Sequence, residues 1–353
     1  MIATTTKPTN RKDLPFVIYG SDHTIKDYKD SISRKRLLEA EFSSSPVCNL
    51  DCPFCYTNVH ERKDYEIASL NNINLFLEQV SSLGAKTVRI VGLGEPFLDK
   101  RVYDGCGFPF IELAKKHGLI AQIYTNGTLI DRNLAKKLSE ENVSLVLKMY
   151  SFSPGIFEKM TGYKGCYTKE KQVEISPGKY IPYGLQEAIS AGLNENCPTR
   201  LGINTVITKD NFEEVFSIYQ FARERNIAVR FSGVLFGQRT FDDEHVVSDE
   251  KRDKIFGQIV DYEKKLTGIS FKPYGPMLHG GCKRLGFNII FDGLGFRACC
   301  GAKKQLQNKD GNLITLENST VENIVKTHPV FEAYRNARSN GKKLNCVMVK
   351  KND

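Results

Sequence analysis

The sequence predicts an α/β fold, a partial (β/α)6 TIM-like barrel followed by a small C-terminal α+β domain. Two observations predict it. Short β-branched segments alternate with segments of helical spacing as far as residue 240, and after about residue 270 the chain changes to glycine, cysteine and short β segments. The composition supports a folded core, because 41% of the 353 residues are hydrophobic and 26% are charged.

Six segments have the length and β-branched content of buried strands. They are Leu38–Ser44, Lys86–Gly92, Ile120–Tyr124, Val143–Tyr150, Arg200–Thr208 and Ala228–Leu235. Helical spacing predicts helices at Ile67–Leu83, Phe110–His117, Asp131–Glu140, Tyr183–Ala191, Phe212–Arg225 and Lys251–Leu266. Strands that alternate with helices of this length indicate βαβ units and a parallel sheet.

Six strands fit an incomplete barrel about as well as an open doubly wound sheet. In such barrels the chemistry lies in loops at the carboxyl ends of the strands, which is where the distinctive motifs of this chain fall. We therefore expect four regions. They are a polar extension (1–37), the core barrel (38–240), a connecting helical segment (241–269) and a C-terminal domain (270–353).

The charge and hydropathy patterns favour some classes of protein over others. The net charge of +9 is mild and its lysines are dispersed, so a solvated surface is favoured over a nucleic-acid interface. The first 35 residues lack the apolar core of a signal peptide, and no stretch approaches the ~18 apolar residues of a membrane helix. We expect a cytoplasmic protein, with neither membrane nor nucleic acid as a partner.

The ten cysteines are clustered rather than spread like a disulfide framework, which indicates metal binding. Cys48, Cys52 and Cys55 lie in one short loop after the first predicted strand. A [4Fe–4S] cube takes four ligands, so three thiolates leave one iron open for a small molecule. A structural zinc site is the alternative, although zinc prefers four ligands from paired C-x2-C knuckles.

The CxxxCxxC spacing, with the aromatic Phe54 before the last cysteine, resembles the signature of the radical S-adenosylmethionine (SAM) superfamily. As an architecture, the resemblance extends from Leu38 to about Leu235. It implies that the three cysteines hold a [4Fe–4S] cluster whose open iron binds SAM. It also implies that the reduced cluster cleaves SAM to a 5′-deoxyadenosyl radical, which removes hydrogen from an unactivated carbon.

A glycine turn after the second predicted strand resembles the GGEP motif of the same superfamily, with Leu93 in place of the first glycine. The resemblance implies that Gly94 lets the backbone approach SAM closely and that Glu95 accepts hydrogen bonds from the SAM ammonium. A plain strand-terminating turn with a surface glutamate is the alternative.

Three further residues at strand ends are implied to bind SAM. Asn126 lies in a Thr-Asn-Gly sequence that resembles the end of the third strand in many members, although Asn-Gly is also a common turn. Ser151 and Asn204 lie where relatives contact the ribose or the methionine carboxylate. Lys148, on the fourth predicted strand, either points into the barrel or flanks it.

The C-terminal cysteines predict a second metal site. Two β segments around an Asp-Gly turn form a hairpin that carries Cys299 and Cys300 toward Cys282, and Cys346 follows a helical stretch. This layout resembles the SPASM/Twitch extensions of radical SAM enzymes, more closely the Twitch form, and implies an auxiliary [4Fe–4S] cluster. Adjacent cysteines on a regular strand point to opposite faces, so an alternative is three thiolates with another ligand, such as His279, or with the substrate bound directly to the open iron. A hairpin without metal is the other alternative.

Cys166 lies in the long segment after the fourth predicted strand. It could donate a hydrogen atom to a substrate radical, as an epimerase requires, or be incidental.

The leading functional hypothesis is a radical SAM oxidoreductase that acts on a small polar substrate such as a sugar, cyclitol or nucleoside. The substrate would be dehydrogenated or epimerized. An external one-electron donor, such as flavodoxin or ferredoxin, would reduce the cluster. A maturase that modifies a peptide residue is the alternative. A non-catalytic iron–sulfur or zinc-binding module is the alternative from another class, but it would not need SAM-binding motifs at successive strand ends.

Overall fold

The computed structural model describes residues 17–57, 65–165, 170–234, 244–268, 286–300 and 304–340. Its strands are β1 (Glu39–Phe42), β2 (Thr87–Val91), β3 (Ile120–Thr125), β4 (Val143–Lys148), β5 (Gln172–Ser176), β6 (Lys179–Pro182), β7 (Leu201–Val206), β8 (Ala228–Ser232), β9 (Asn288–Asp292) and β10 (Gly295–Arg297). Its α-helices are α1 (Ile25–Arg34), α2 (Leu70–Ser82), α3 (Pro109–Lys116), α4 (Arg132–Glu140), α5 (Pro154–Thr161), α6 (Tyr183–Ser190), α7 (Val215–Glu224), α8 (Asp249–Thr267), α9 (Val321–Thr327) and α10 (Pro329–Ser339).

The predicted α/β class is confirmed, and each predicted strand and helix of the first 268 residues is present with small shifts at its ends. Sequence reasoning did not predict α1, α5 or the β5–β6 hairpin. Among the residues described above, no helix combines the length and the apolar character needed to cross a membrane.

The chain divides into two compact units. The first unit comprises Met1–Tyr19, Leu50–Thr57 and Asn126–His279. The second unit comprises Gly20–Asn49, Asn58–Thr125 and Gly280–Asp353. The expected boundaries after residues 37, 240 and 269 stay a prediction. In the second unit, β9 pairs with β1.

Among its described residues, the second unit contains five strands in the order β10-β9-β1-β2-β3. The strands β9, β1, β2 and β3 are parallel, and β10 pairs antiparallel with β9. The predicted C-terminal hairpin is therefore present, and Gly293 at its turn has a φ of +66°. Its first strand extends the parallel sheet of this unit, with Phe291 in register with Phe42.

Aromatic side chains fill the core of the second unit and explain why the hairpin joins it. Phe42 on β1 stacks on Phe110 of α3, with ring centroids 4.9 Å apart. Phe291 on β9 stacks on Phe76 of α2 at 5.0 Å and also contacts Phe296 of β10 at 5.3 Å. All five rings are fully buried, so removing the hairpin would expose a large apolar surface.

The first unit contains three parallel strands in the order β4-β7-β8, and a separate two-stranded sheet of β5 and β6. Helices cover one face of the parallel strands. Phe231 of β8 contacts Tyr219 of α7 and Phe256 of α8, with ring centroids 6.4 and 6.0 Å apart. The residues that point to this helical face along β8, Val229 and Phe231, are buried.

A buried polar triad joins the two helices of the first unit. The Glu263 carboxylate of α8 accepts hydrogen bonds from the Tyr219 hydroxyl and from Nε of Arg223, each at 2.7 Å. Glu263 is 1% exposed, so its charge depends on these two donors from α7. Burial, together with the bond to Glu263, raises the pKa of Tyr219 far above its usual value, and the hydroxyl stays a donor.

The triad predicts a stability difference. Glu263→Ala leaves a buried arginine and a buried hydroxyl without their shared acceptor, so it should lower the free energy of unfolding by about 3–5 kcal/mol. Glu224→Ala, which removes a more exposed partner of Arg225 on the surface of α7, should cost less than about 1 kcal/mol. Urea unfolding of both variants measures the difference, and equal losses would contradict the role of the triad.

Candidate functional site

The start of the cysteine loop is held by backbone hydrogen bonds within the second unit. The N–H of Gly94 donates to the carbonyl of Ser45 at 3.1 Å, and the N–H of Glu95 donates to the carbonyl of Val47 at 2.8 Å. The glycine turn after β2 therefore runs alongside the segment that immediately precedes Cys48.

A buried carboxylate fixes the same segment. Asp99, 4% exposed, accepts the N–H of Ser45 at 2.7 Å and pairs with the Arg101 guanidinium at 2.9 and 2.5 Å. Burial acts to raise the pKa of Asp99, but the arginine and the backbone donors outweigh it and hold this pKa below its usual value. Asp99 is therefore a charged acceptor that anchors the start of the loop.

Two glycines make the close approach possible. A Cβ built on Gly94 would lie 2.0 Å from the carbonyl oxygen of Val47, and one built on Gly92 would lie 2.1 Å from the carbonyl oxygen of Gly94. No side chain fits at either distance, so both positions require glycine. In the structure, the group that approaches Gly94 closely is therefore the Val47 backbone of the same chain.

Glu95 is buried, with 2% of its surface exposed, rather than a surface residue of a plain turn. Its Oε1 accepts the Thr125 hydroxyl at 2.5 Å and the Phe97 N–H at 3.2 Å, and this second bond caps a short 3-10 helix, Pro96–Leu98. The carboxylate joins the end of β2 to the end of β3. Its predicted contact with the SAM ammonium stays a prediction.

The later part of the cysteine loop belongs to the first unit and is anchored by its own contacts. The N–H of Asp51 donates to the Thr161 carbonyl at 3.0 Å, and Gly162 has no room for a Cβ, which would lie 2.0 Å from the Asp51 oxygen. Phe54 is 7% exposed and packs edge-on against Tyr150, with ring centroids 5.6 Å apart. Phe54 therefore fixes the loop against the residues after β4.

The three predicted cluster ligands are cysteines outside any disulfide. Cys48, Cys52 and Cys55 are all half-buried and none forms a disulfide. Within the described ranges, no three His, Cys, Asp or Glu side chains come together as a metal site. Partly accessible thiols outside disulfides fit a [4Fe–4S] cluster by their chemistry, and the ligand set itself stays a prediction from spacing.

Asn126 and Ser151 are buried in the first unit and make short local hydrogen bonds. The Oδ1 of Asn126 accepts the N–H and the hydroxyl of Thr128, at 2.9 and 2.6 Å. The Ser151 hydroxyl donates to Glu214 at 2.6 Å, and Glu214 also accepts the Phe152 N–H at 2.7 Å. Both side chains shape the turns after β3 and β4, and their predicted SAM contacts stay untested.

Asn204 and Lys148 form a hydrogen-bonded pair across β7 and β4. The Lys148 ammonium donates to Oδ1 of Asn204 at 2.8 Å, and both side chains are partly exposed. The pair lies on the face opposite the helices.

The C-terminal cysteines are only partly described. Cys299 and Cys300 follow β10, with Cys299 half-buried and Cys300 exposed. Cys282 and Cys346 lie outside the described residues, as do His279 and Cys166. The auxiliary cluster and the hydrogen-donor role therefore remain predictions.

Sequence reasoning missed two supporting carboxylates, Asp99 at the start of the cysteine loop and Glu214 at the turn after β4. Asp99 lies three residues beyond the glycine-turn motif, and Glu214 lies far from the residue it binds in sequence. Neither belongs to a recognisable motif, since each acts through backbone N–H groups that only the folded chain brings to it. Thr125 could have been found, because it precedes Asn126 in the quoted motif.

The glycine contact generates a direct prediction. Gly94→Ala should displace the start of the cysteine loop, since its methyl group would overlap the Val47 carbonyl, and should reduce iron incorporation several-fold after reconstitution. Gly155→Ala is the matched control, because nothing lies within 4 Å of a Cβ at that helical position. Iron content per chain measures both, and normal iron in Gly94→Ala would contradict the role of the contact.

Comparison with known proteins agrees with this geometry. Residues 42–171, which include the cysteine loop and the glycine turn, match the model of the Radical SAM superfamily. Fe-coproporphyrin III synthase of Methanosarcina barkeri is 26% identical over 180 residues, which are 51% of this chain and 39% of that protein. A probable GTP 3′,8-cyclase of Sulfurisphaera tokodaii is 27% identical over 257 residues, which are 68% of this chain and 74% of that protein.

The fold is also that of a solved structure. The structure of SuiB from Streptococcus suis bound to SAM matches with a TM-score of 0.62 and 15% identity, over 88% of this chain and 69% of SuiB. The superfamily implies a [4Fe–4S] cluster and SAM. Residues 42–171 are therefore similar to the radical SAM superfamily, whose members are enzymes.

Proposed function

We propose that this chain reductively cleaves SAM and uses the resulting radical to remove hydrogen from a small polar substrate. One observation supports this most directly. The glycine turn after β2 is bonded to the backbone immediately before Cys48, so the glycine-turn motif and the segment that leads into the first cysteine are built as one piece of the second unit.

The roles of the side chains follow from their positions. Cys48, Cys52 and Cys55 would hold the cluster, which when bound supplies the electron that breaks a carbon–sulfur bond of SAM. Gly94 and Asp99 keep the start of the loop in place. Glu95, held at the end of β2 by Thr125, would orient the SAM ammonium with its charge.

The main test of the proposed SAM cleavage is to replace the three cysteines of the loop. Changing Cys48, Cys52 and Cys55 together to alanine should abolish formation of 5′-deoxyadenosine from SAM and dithionite, measured anaerobically by liquid chromatography. Cys106→Ala, which changes an exposed cysteine elsewhere in the chain that forms no disulfide, should leave the product yield unchanged. Reductive SAM cleavage by the triple variant would refute the proposed function.

The proposed contact of the Glu95 carboxylate with SAM can be tested by removing its charge. Glu95→Gln keeps an oxygen that can accept from Thr125 and Phe97 but removes the negative charge, so SAM should bind about tenfold more weakly. The iron content should stay normal. Thr125→Val removes only the hydroxyl partner and is the control for the shape of the turn. Equal SAM affinity of wild type and Glu95→Gln, measured by equilibrium dialysis, would sink the assignment.

The substrate is proposed to be a small molecule. The names of two relatives, GTP 3′,8-cyclase and Fe-coproporphyrin III synthase, point to small molecules rather than peptides. A structure of SuiB bound to the precursor peptide SuiA has also been solved, but the likeness of this chain to SuiB is a likeness of fold alone. The outcome would be dehydrogenation or epimerization, with flavodoxin or ferredoxin as the electron donor.

We further propose an auxiliary [4Fe–4S] cluster held by Cys282, Cys346 and one or both of Cys299 and Cys300. Support comes from the hairpin, which places both adjacent cysteines directly after β10 with accessible thiols. Reconstituted protein should hold about eight irons per chain, and the variant of the first three cysteines about half of that. A wild type with only four irons, or a triple variant with none, would rule out the second cluster.

A further inference from the structure

A tight turn joins the last two cysteines of the loop. The N–H of Cys55 donates to the carbonyl of Cys52 at 3.0 Å, and Pro53 occupies the first central position, where its fixed φ favours such a turn. Phe54, the other central residue, is buried against Tyr150. The backbone that carries the Cys55 sulfur is therefore fixed by contacts within the protein itself.

A threonine hydroxyl lies beside that sulfur. The Oγ1 of Thr57 is 3.2 Å from the Sγ of Cys55, which is within hydrogen-bond reach of the sulfur atom. Thr57 is 3% exposed, whereas Cys55 is half-buried. Both residues belong to the first unit. Thr57 lies outside the CxxxCxxC spacing, so sequence reasoning alone does not find this contact.

The chemistry of the pair decides which atom donates once Cys55 binds iron. Between a thiol and a hydroxyl, either atom can be the donor. A cysteine that ligates a metal is a thiolate, which has no proton and can only accept. The Thr57 hydroxyl carries one hydrogen and can rotate to turn it toward the sulfur. In this pair the hydroxyl is therefore the donor when Cys55 is a ligand.

Such a bond stabilises the reduced cluster more than the oxidised one. Reduction adds one negative charge, part of which the cysteine sulfurs carry, and a hydrogen-bond donor stabilises that charge. Hydrogen bonds to the sulfurs are among the factors that set the reduction potential of iron–sulfur clusters. Because Thr57 is almost fully buried, water screens the bond little.

We propose that Thr57 is a positioning residue that acts on the first cluster through Cys55, and that its hydroxyl raises the reduction potential of that cluster. The inference rests on the proposed function, because it takes Cys55 as a cluster ligand. It adds the residue that sets how strong an electron donor the cluster needs. A cluster of higher potential accepts its electron from a weaker donor and has a smaller driving force for breaking a carbon–sulfur bond of SAM.

Removal of the hydroxyl tests the proposal. Thr57→Val keeps the branched shape but has no donor. It should lower the equilibrium constant for cluster reduction about tenfold, a fall of about 59 mV in the midpoint potential of a one-electron couple. Thr57→Ser keeps the hydroxyl and should keep the wild-type potential. Anaerobic redox titration of the reconstituted protein, followed by electron paramagnetic resonance, measures each midpoint. The first cluster is identified as the one whose signal changes when SAM is added.

Thr205→Val is the matched control. Thr205 is also a fully buried threonine of the first unit, but its hydroxyl donates to the carbonyl of Met149 at 2.6 Å instead of to a sulfur. This variant should have the wild-type potential. The iron content per chain should be the same in all four proteins, because the proposed bond tunes the cluster and does not assemble it.

Three results would overturn the proposal. The first is a midpoint potential that Thr57→Val leaves unchanged. The second is an equal fall in Thr57→Ser or in Thr205→Val, which would show that the hydroxyl beside the sulfur is not the cause. The third is a loss of iron in Thr57→Val, which would make the role of Thr57 one of structure alone.

The inference and the proposed function fail in different ways. A wild type without a cluster signal that responds to SAM would disprove the proposed function before any variant is compared. A wild type that cleaves SAM, with a cluster whose potential does not depend on the Thr57 hydroxyl, would disprove only the inference about Thr57.

Discussion

The close approach of the Gly94 backbone to Val47 is the contact on which the candidate site depends. This contact is possible only because residue 94 has no side chain. A Cβ at Gly94 would lie 2.0 Å from the Val47 carbonyl oxygen, which is too close for any side chain. The backbone bonds of Gly94 and Glu95 then fix the three residues before Cys48. Asp99 adds a charged acceptor whose pKa is lowered, so this anchor persists across the neutral pH range.

The other end of the loop depends on a similar kind of contact within the first unit. Gly162, with a φ of +66°, ends α5 and leaves room for the Asp51 carbonyl. Phe54, which the signature requires to be aromatic, packs on Tyr150 and is almost fully buried. The residues that flank the three cysteines are thus held by packing and by hydrogen bonds, each within its own unit.

The strands and most helices could be predicted because each is an uninterrupted apolar pattern between turn residues. The pairing of β9 with β1 could not, since it depends on Phe291 meeting Phe76 across more than 200 residues. The helix α5 was missed because Pro154 and Gly155 lower its local helix propensity. At the site, the glycine turn was predicted from its motif, but the carboxylate that anchors the loop, Asp99, was not. Its role comes from a backbone N–H that lies 54 positions earlier in the chain.

The central claim is that the loop of Cys48, Cys52 and Cys55 holds a cluster with one iron open to SAM. The electron paramagnetic resonance spectrum of the reduced, reconstituted protein, recorded with and without SAM, tests it most directly. Carrying out the measurement in a Cys299→Ala/Cys300→Ala background reduces the signal of any auxiliary cluster. The account predicts a clear shift of the cluster signal when SAM is added. A spectrum that SAM leaves unchanged would contradict it.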